Sequence, residues 1–131
     1  MGSPIRLFLI DDDEDDLFIF HLALQELNVT TDCLEDTNSE KALKRLKEGG
    51  MPVPDMIFLD WNMPKISGRD CLIGIRQIPA YAHVPVIIYS TSSSWRDKDE
   101  TKRLGASYFL TKPTSFKELC RTLMSLLTRD W

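Results

Sequence analysis

Apolar positions along the chain fall into two kinds of block. Short, nearly continuous apolar runs occupy residues 5–10, 56–60 and 84–89. Runs of that length, bounded by turn formers, read as buried strands. Residues 31–35 and 107–110 are weaker strand candidates. Between these runs lie longer segments of mixed polarity. Residues 17–27 predict a first helix. Thr37-Asn38-Ser39-Glu40 has the spacing of a capping box and opens a second helix, which Gly49-Gly50 stops. Residues 69–78 predict a third helix ended by Pro79, and residues 97–104 a fourth broken by Gly105. Residues 115–128 predict a fifth. The second helix gathers Ala42, Leu43 and Leu46 on one face, and the fifth directs Phe116, Leu119, Leu123, Leu126 and Leu127 toward the core.

Strands that alternate with helices imply a parallel sheet covered on both faces. The apolar first, third and fourth strands belong at its centre, and the weak second strand at an edge. Right-handed crossovers leave few topologies. The expectation is an α/β fold, a flavodoxin-like (βα)5 doubly wound parallel sheet with strand order 2-1-3-4-5.

With 131 residues the chain has room for one domain of ordinary size. That domain is placed at residues 5–128, with residues 1–4 an N-terminal remnant and no output domain after the fifth helix. A net charge of −4 with scattered Lys and Arg argues against direct nucleic-acid binding. No stretch approaches a membrane span, and no signal pattern opens the chain, so the expected compartment is the cytoplasm. Met1-Gly2 begins a myristoylation motif, but Arg6 stands where that motif needs Ser or Thr. Cys33, Cys71 and Cys120 are dispersed and read as small buried hydrophobes.

In an open α/β sheet the ligand crevice lies beyond the carboxyl ends of the strands, where the strand order reverses. Here that point lies between the first and third strands. Asp60 ends the third strand. Six acids, Asp11 through Asp16, follow the first. Asp15 and Asp16 suit the first turn of a helix. Asp11 and Asp12 fall on the crevice with Asp60, and Asp13 reads as solvated. Carboxylates crowded together raise one another's pKa, and a bound divalent cation removes the conflict. The fourth strand ends in Ser90-Thr91 and the fifth is followed by Lys112-Pro113, so the same edge gains a hydroxyl and an ammonium. A phosphoryl group on Asp60 needs donors of both kinds.

These motifs together resemble the receiver domain of a two-component response regulator. Asp11-Asp12 is similar to the family's acidic pair, and Leu59-Asp60-Trp61-Asn62-Met63-Pro64, followed by Gly68, to its phosphoacceptor motif. Ser90, Phe109 and Lys112-Pro113 stand at the switch hydroxyl, switch aromatic and Lys-Pro positions. The resemblance implies that Asp60 takes a phosphoryl group from a sensor histidine kinase or a histidine phosphotransfer protein. It implies Mg²⁺ or Mn²⁺ on Asp12, on Asp60 and on the backbone carbonyl of Asn62, with Asp11 assisting through water. Lys112 would pair with the phosphoryl group, and Ser90 and Thr91 would line it. Phe109 would turn inward, and Pro113 would aim Lys112 through a cis bond. Asn62 and Ser92 would tune dephosphorylation, which the domain catalyses on itself, as it does the phosphotransfer.

Other readings fit less well. A calcium loop starting at Asp11 has Asp16 where Gly is needed and Leu22 where Glu is needed. A phosphate-binding GxxxxGK[ST] loop is missing. A hydrolase of the aspartyl-phosphate class would carry Asp, not Asn62, two residues past its nucleophile. His21 reads as a surface residue, not a phosphorylated one. The remaining alternative is a module of the same fold that binds without phosphorylation. With no output domain expected, signalling would pass through an unknown downstream protein, for which Trp95 is a candidate contact. Phosphorylation-linked dimerisation stays open.

Overall fold

The computed structural model describes residues 3–63 and 66–131; Pro64 and the Met1-Gly2 pair lie outside the described residues. The elements run β1 (Ile5–Ile10), α1 (Glu14–Glu26), β2 (Thr31–Asp36), α2 (Ser39–Glu48), β3 (Met56–Leu59), α3 (Gly68–Gln77), β4 (Val86–Ser90), α4 (Trp95–Arg103), β5 (Tyr108–Thr111) and α5 (Phe116–Leu127). A 3₁₀ turn at Pro79–Tyr81 follows α3.

All the strand pairings are parallel, and the order is β2-β1-β3-β4-β5, as expected from the pattern. Successive strand residues face opposite sides, so each central strand feeds two cores. Leu7 and Leu9 of β1, Phe58 of β3 and Ile87 and Tyr89 of β4 pack under α1 and α5, around Phe20, Leu24, Leu119 and Leu123. Phe8 and Ile10, Ile57 and Leu59, and Val86 and Ile88 face the other way, under Leu46 of α2 and Leu72 and Ile75 of α3. This is why β1, β3 and β4 read as unbroken apolar runs. Edge strand β2 is only half-covered and alternates instead. Arg76 ties α3 to the connections that lead into β4 and β5. Its guanidinium donates to the carbonyls of Tyr81 at 2.9 Å, Val84 at 2.7 Å and Gly105 at 2.8 Å.

Several local expectations need correction. α1 starts at Glu14 because Asp13, expected to be merely solvated, is its N-cap and accepts from the N–H groups of Asp15 and Asp16. In α2 the cap is Asn38, not Thr37, and with Lys41 at the third helical position the reciprocal capping box does not form. Ser39, freed from capping, donates its hydroxyl to the Ile66 carbonyl. The α2 stop is as expected: Gly49 adopts φ +69°, a left-handed conformation that costs glycine little. Ser94 caps α4, which places Trp95 inside the helix and not beside it. Phe116 is 43% exposed and lies outside the core, because its turn at the start of α5 is not covered. Cys71 is buried, but Cys33 and Cys120 are only half-buried, and all three are free thiols. Burial pushes the Cys33 and Cys71 thiols up to about 12, which leaves them unreactive. Among the described residues no helix is long and apolar enough to cross a membrane.

Candidate functional site

The register brings the acids together. Ile10 pairs with Leu59, so the next residues, Asp11 and Asp60, leave neighbouring strands side by side. The Asp60 N–H donates to the Ile10 carbonyl at 2.9 Å, which carries the ladder one step further. Asp12, on the loop before α1, is exposed, while Asp11 and Asp60 are buried. Each of the three offers a carboxylate oxygen, and these oxygens lie within 4.8 Å of one another.

Lys112 closes the opposite side. Ser90 pairs with Thr111, and the Lys112 N–H donates to the Ser90 carbonyl at 2.7 Å. The backbone thereby delivers the Lys112 stem across the Tyr89 ring, whose centroid lies 5.1 Å from Nζ. Tyr89 is itself braced by Phe20, edge to face at 5.7 Å. The ammonium donates to Asp16 Oδ2 at 2.6 Å and to Asp11 Oδ2 at 3.0 Å, and lies 3.9 Å from Asp60 Oδ2. Lys112 reaches the site through a trans bond to Pro113, because no cis peptide occurs among the described residues. Where a cis bond was expected, the structure has a trans one.

The charges are unevenly matched. Burial pushes Asp60 up to about 7, and the nearby Asp11 carboxylate adds to the rise, against the opposing pull of Lys112 and the Asn62 N–H. Burial also raises Asp11, although it accepts from the Asp13 N–H and from Lys112. Burial alone would lower Lys112, yet its bonds to Asp16 and Asp11 hold it above its ordinary value. One ammonium thus serves several carboxylates. It gains from all of them, while each acid receives only a share. A cluster of hard oxygens with surplus negative charge suits Mg²⁺ or Mn²⁺. The residues present fit such an ion.

The remaining expected residues surround this centre. The Asn62 N–H donates to Asp60 Oδ1 at 3.4 Å. Ser90 is fully buried at the end of β4, and its Oγ accepts from the Ser92 N–H at 3.2 Å. Thr91 is exposed. Ser92 donates its hydroxyl to Asp97 at 2.6 Å, and Thr111 donates to the Ser92 carbonyl at 3.0 Å, so the β4–α4 loop is fastened to β5 and α4. Phe109 is half-buried, with the Lys98 ammonium 5.9 Å from its ring. Trp95 is 72% exposed, away from the carboxylates. Asp16 is the site residue that sequence reading missed: its acidic character was visible, but a contact across 96 positions leaves no local signal.

Gly68 holds the acceptor loop closed. A Cβ there would lie 2.5 Å from the Asp60 carbonyl oxygen and 2.5 Å from the Trp61 Cα, so only glycine permits this approach of α3. Its N–H donates to the Trp61 carbonyl at 3.1 Å. Gly68→Ala is expected to destabilise the domain by about 1–3 kcal/mol, as overpacking does. By displacing Asp60 it should also slow phosphorylation at least tenfold. A urea melt and a phosphoryl-uptake time course check the two effects separately.

A doubly wound sheet whose switch-point crevice holds an acidic triad and an opposing lysine defines a phosphoacceptor domain. The family model for the response regulator receiver domain matches residues 7–124, and the chain belongs to that family. It is 29% identical over 124 residues to the probable methanogenesis regulatory protein FilR2 of Methanothrix harundinacea, covering 92% of this chain and 80% of that one. It is 26% identical to response regulator Rcp1 of Synechocystis, covering 95% of this chain and 88% of that one. Against the 3',5'-cyclic-nucleotide phosphodiesterase regA of Dictyostelium discoideum it is 28% identical, but spans only 16% of that protein. The Mn²⁺-bound form of Rcp1 superimposes with a TM-score of 0.83 at 25% identity, covering 94% of this chain and 91% of that one. As a receiver domain the chain accepts a phosphoryl group on Asp60, with a divalent metal, and its catalysis is confined to phosphoryl transfer to and from itself. Membership of the family implies a histidine kinase or phosphotransfer protein as the partner in that transfer.

Proposed function

We propose that residues 5–128 act as a switch, in which phosphorylation of Asp60 reshapes the α4–β5–α5 face for a downstream protein. The observation that supports this most is the buried Asp60 carboxylate within reach of Asp11, Asp12 and Lys112. In the reaction an ionised Asp60 oxygen attacks the phosphorus of a phosphohistidine. The new O–P bond forms as the N–P bond breaks, and the imidazole leaves with the electron pair. Asp12, Asp60 and the Asn62 carbonyl would hold Mg²⁺ or Mn²⁺, with Asp11 assisting through water. The ion, when bound, supplies positive charge to the carboxylates and to the transferred oxygens.

Lys112 donates to one phosphoryl oxygen. Ser90, at the buried end of β4, donates its hydroxyl to another, with Thr91 beside it. Moving Ser90 releases the Ser92 N–H and so loosens the β4–α4 loop. Phe109 then turns toward the space behind Ser90 and leaves Lys98. Pro113 keeps the chain after Lys112 in a turn. This role needs no direct contact with nucleic acid or membrane. Trp95 is the exposed anchor of the reshaped face, and a phosphorylation-linked dimer would use the same face. Trp95→Ala should weaken binding of the downstream protein while leaving phosphorylation intact.

Incubation with acetyl phosphate and Mg²⁺, followed by intact-mass measurement, tests the phosphoacceptor reading. One added phosphoryl group is expected, absent in Asp60→Asn and absent when the metal is chelated. If no adduct forms and beryllofluoride also fails to bind, the domain is a phosphorylation-independent module.

A further inference from the structure

Lys112 carries three N–H donors and has Asp11, Asp16 and Asp60 around it, yet it serves them unequally. Its shortest bond, at 2.6 Å, goes to Asp16 on the first turn of α1, and its distance to Asp60, 3.9 Å, is beyond hydrogen-bond range. Of the three carboxylates paired with the ammonium, the acceptor is the one from which it stands furthest. Asp16 is well placed to hold it there. Its backbone N–H is fixed by the Asp13 cap at 3.2 Å, and its side chain is 29% exposed. The Lys112 side chain is only 10% exposed and lies against Tyr89. A phosphoryl group arriving on Asp60 must draw this ammonium toward itself, against the pull of Asp16.

We propose that Asp16 is a positioning residue that holds the Lys112 ammonium off Asp60, so that the phosphoryl group must compete for it. This inference rests on the phosphoacceptor reading. It assigns to α1 a part in setting how long the switch stays on. Without the Asp16 charge, Lys112 keeps its bond to Asp11 but loses its shortest partner, so it shifts more readily toward Asp60 and its phosphoryl group, and the phosphorylated state gains. The neighbouring Asp15 is exposed and makes no bond to Lys112, so it reports the effect of charge alone.

The test is a beryllofluoride titration at saturating Mg²⁺ on the wild-type chain, Asp16→Asn, Asp16→Glu and Asp15→Asn. Asp16→Asn is expected to bind about three- to fivefold more tightly than wild type, the size of a partly screened charge pair. Its aspartyl phosphate should live longer by a similar factor. Asp16→Glu, which keeps the charge, should return toward wild type, and Asp15→Asn should match it. Tight binding by wild type with no gain in Asp16→Asn, or an equal gain in Asp15→Asn, overturns the role of Asp16 alone. Failure of the wild-type chain to bind overturns the phosphoacceptor reading and this inference with it.

Discussion

Asp60→Asn is expected to take up no phosphoryl group, yet to melt at a higher temperature than the wild-type chain in metal-free buffer at pH 8. The first effect follows from loss of the nucleophile. The second follows from the ionisation of the acceptor. Asp60 has an ordinary value of 3.8 and is pushed up to about 7 in the fold. Below the ordinary value both folded and unfolded chains carry the proton, and the group has no influence on stability. As pH rises from there to about 7 the unfolded chain releases the proton first, so wild-type stability falls. Above that window the loss is complete and constant. The amide of Asn never ionises and escapes it. A shift of about 3 units sets a ceiling near 4 kcal/mol, and sharing of Lys112 among the acids brings the expected gain to roughly 2–3 kcal/mol. For a domain of this size that is on the order of 5–12 °C. Thermal melts of both proteins from pH 4 to 9 check the sign. The curves should coincide at the acid end and separate through neutrality. Adding Mg²⁺ should narrow the gap, because an ion that binds the folded wild type raises its stability by mass action.

The same burial explains what could be read in advance. Apolar runs in β1, β3 and β4 exist because both faces of those strands are covered. That double burial announces a parallel sheet, and with it the crevice where Asp11, Asp12, Asp60, Ser90 and Lys112 end their strands or open the loops beyond. Residues whose role depends on the strand they terminate were therefore legible. Residues whose role depends on a distant side chain were not. Asp16 reads as a helix-start acid and is one, but its bond to Lys112 joins the first turn of α1 to the residue after β5, 96 positions away. Arg76 is an ordinary helix residue until two connections, α3–β4 and α4–β5, present their carbonyls to it. Helix starts were shifted by one to three residues because several polar residues compete to cap. Thr37, Asn38 and Ser39 can each cap, as can any of Ser92, Ser93 and Ser94, and tertiary packing chooses among them. Phe116 fits the apolar stripe of α5 in angle, but the stripe carries no information about where its cover ends.

Lys112→Met should show the opposite dependence on metal from a simple loss of packing. The substitution keeps an apolar stem over Tyr89 and removes only the ammonium. Asp11, which is 1% exposed, then has its Oδ2 without its cation, and Asp60 and Asp16 lose theirs as well. Removing one partner of a buried ion pair costs about 3–5 kcal/mol when the other must stay charged. Here the acids have an escape: they can keep their protons. Asp11 and Asp60 already lie above their ordinary values, and without Lys112 both rise further. At pH 5 the variant should therefore be only mildly less stable than wild type. At pH 8, where the unfolded chain is fully ionised and the folded acids resist ionisation, the deficit should grow to roughly 3 kcal/mol. The uncompensated triad is also a stronger cation site, so Mg²⁺ should bind the variant more tightly and restore most of its stability. Phosphoryl transfer should nonetheless stay at least tenfold slower than wild type, because the ion cannot reproduce a donor on the far side of the phosphoryl group. Melts at the two pH values with and without Mg²⁺, set beside acetyl phosphate uptake, separate these effects. A variant equally unstable at both pH values and indifferent to Mg²⁺ would mean that Lys112 acts through packing and not through its charge.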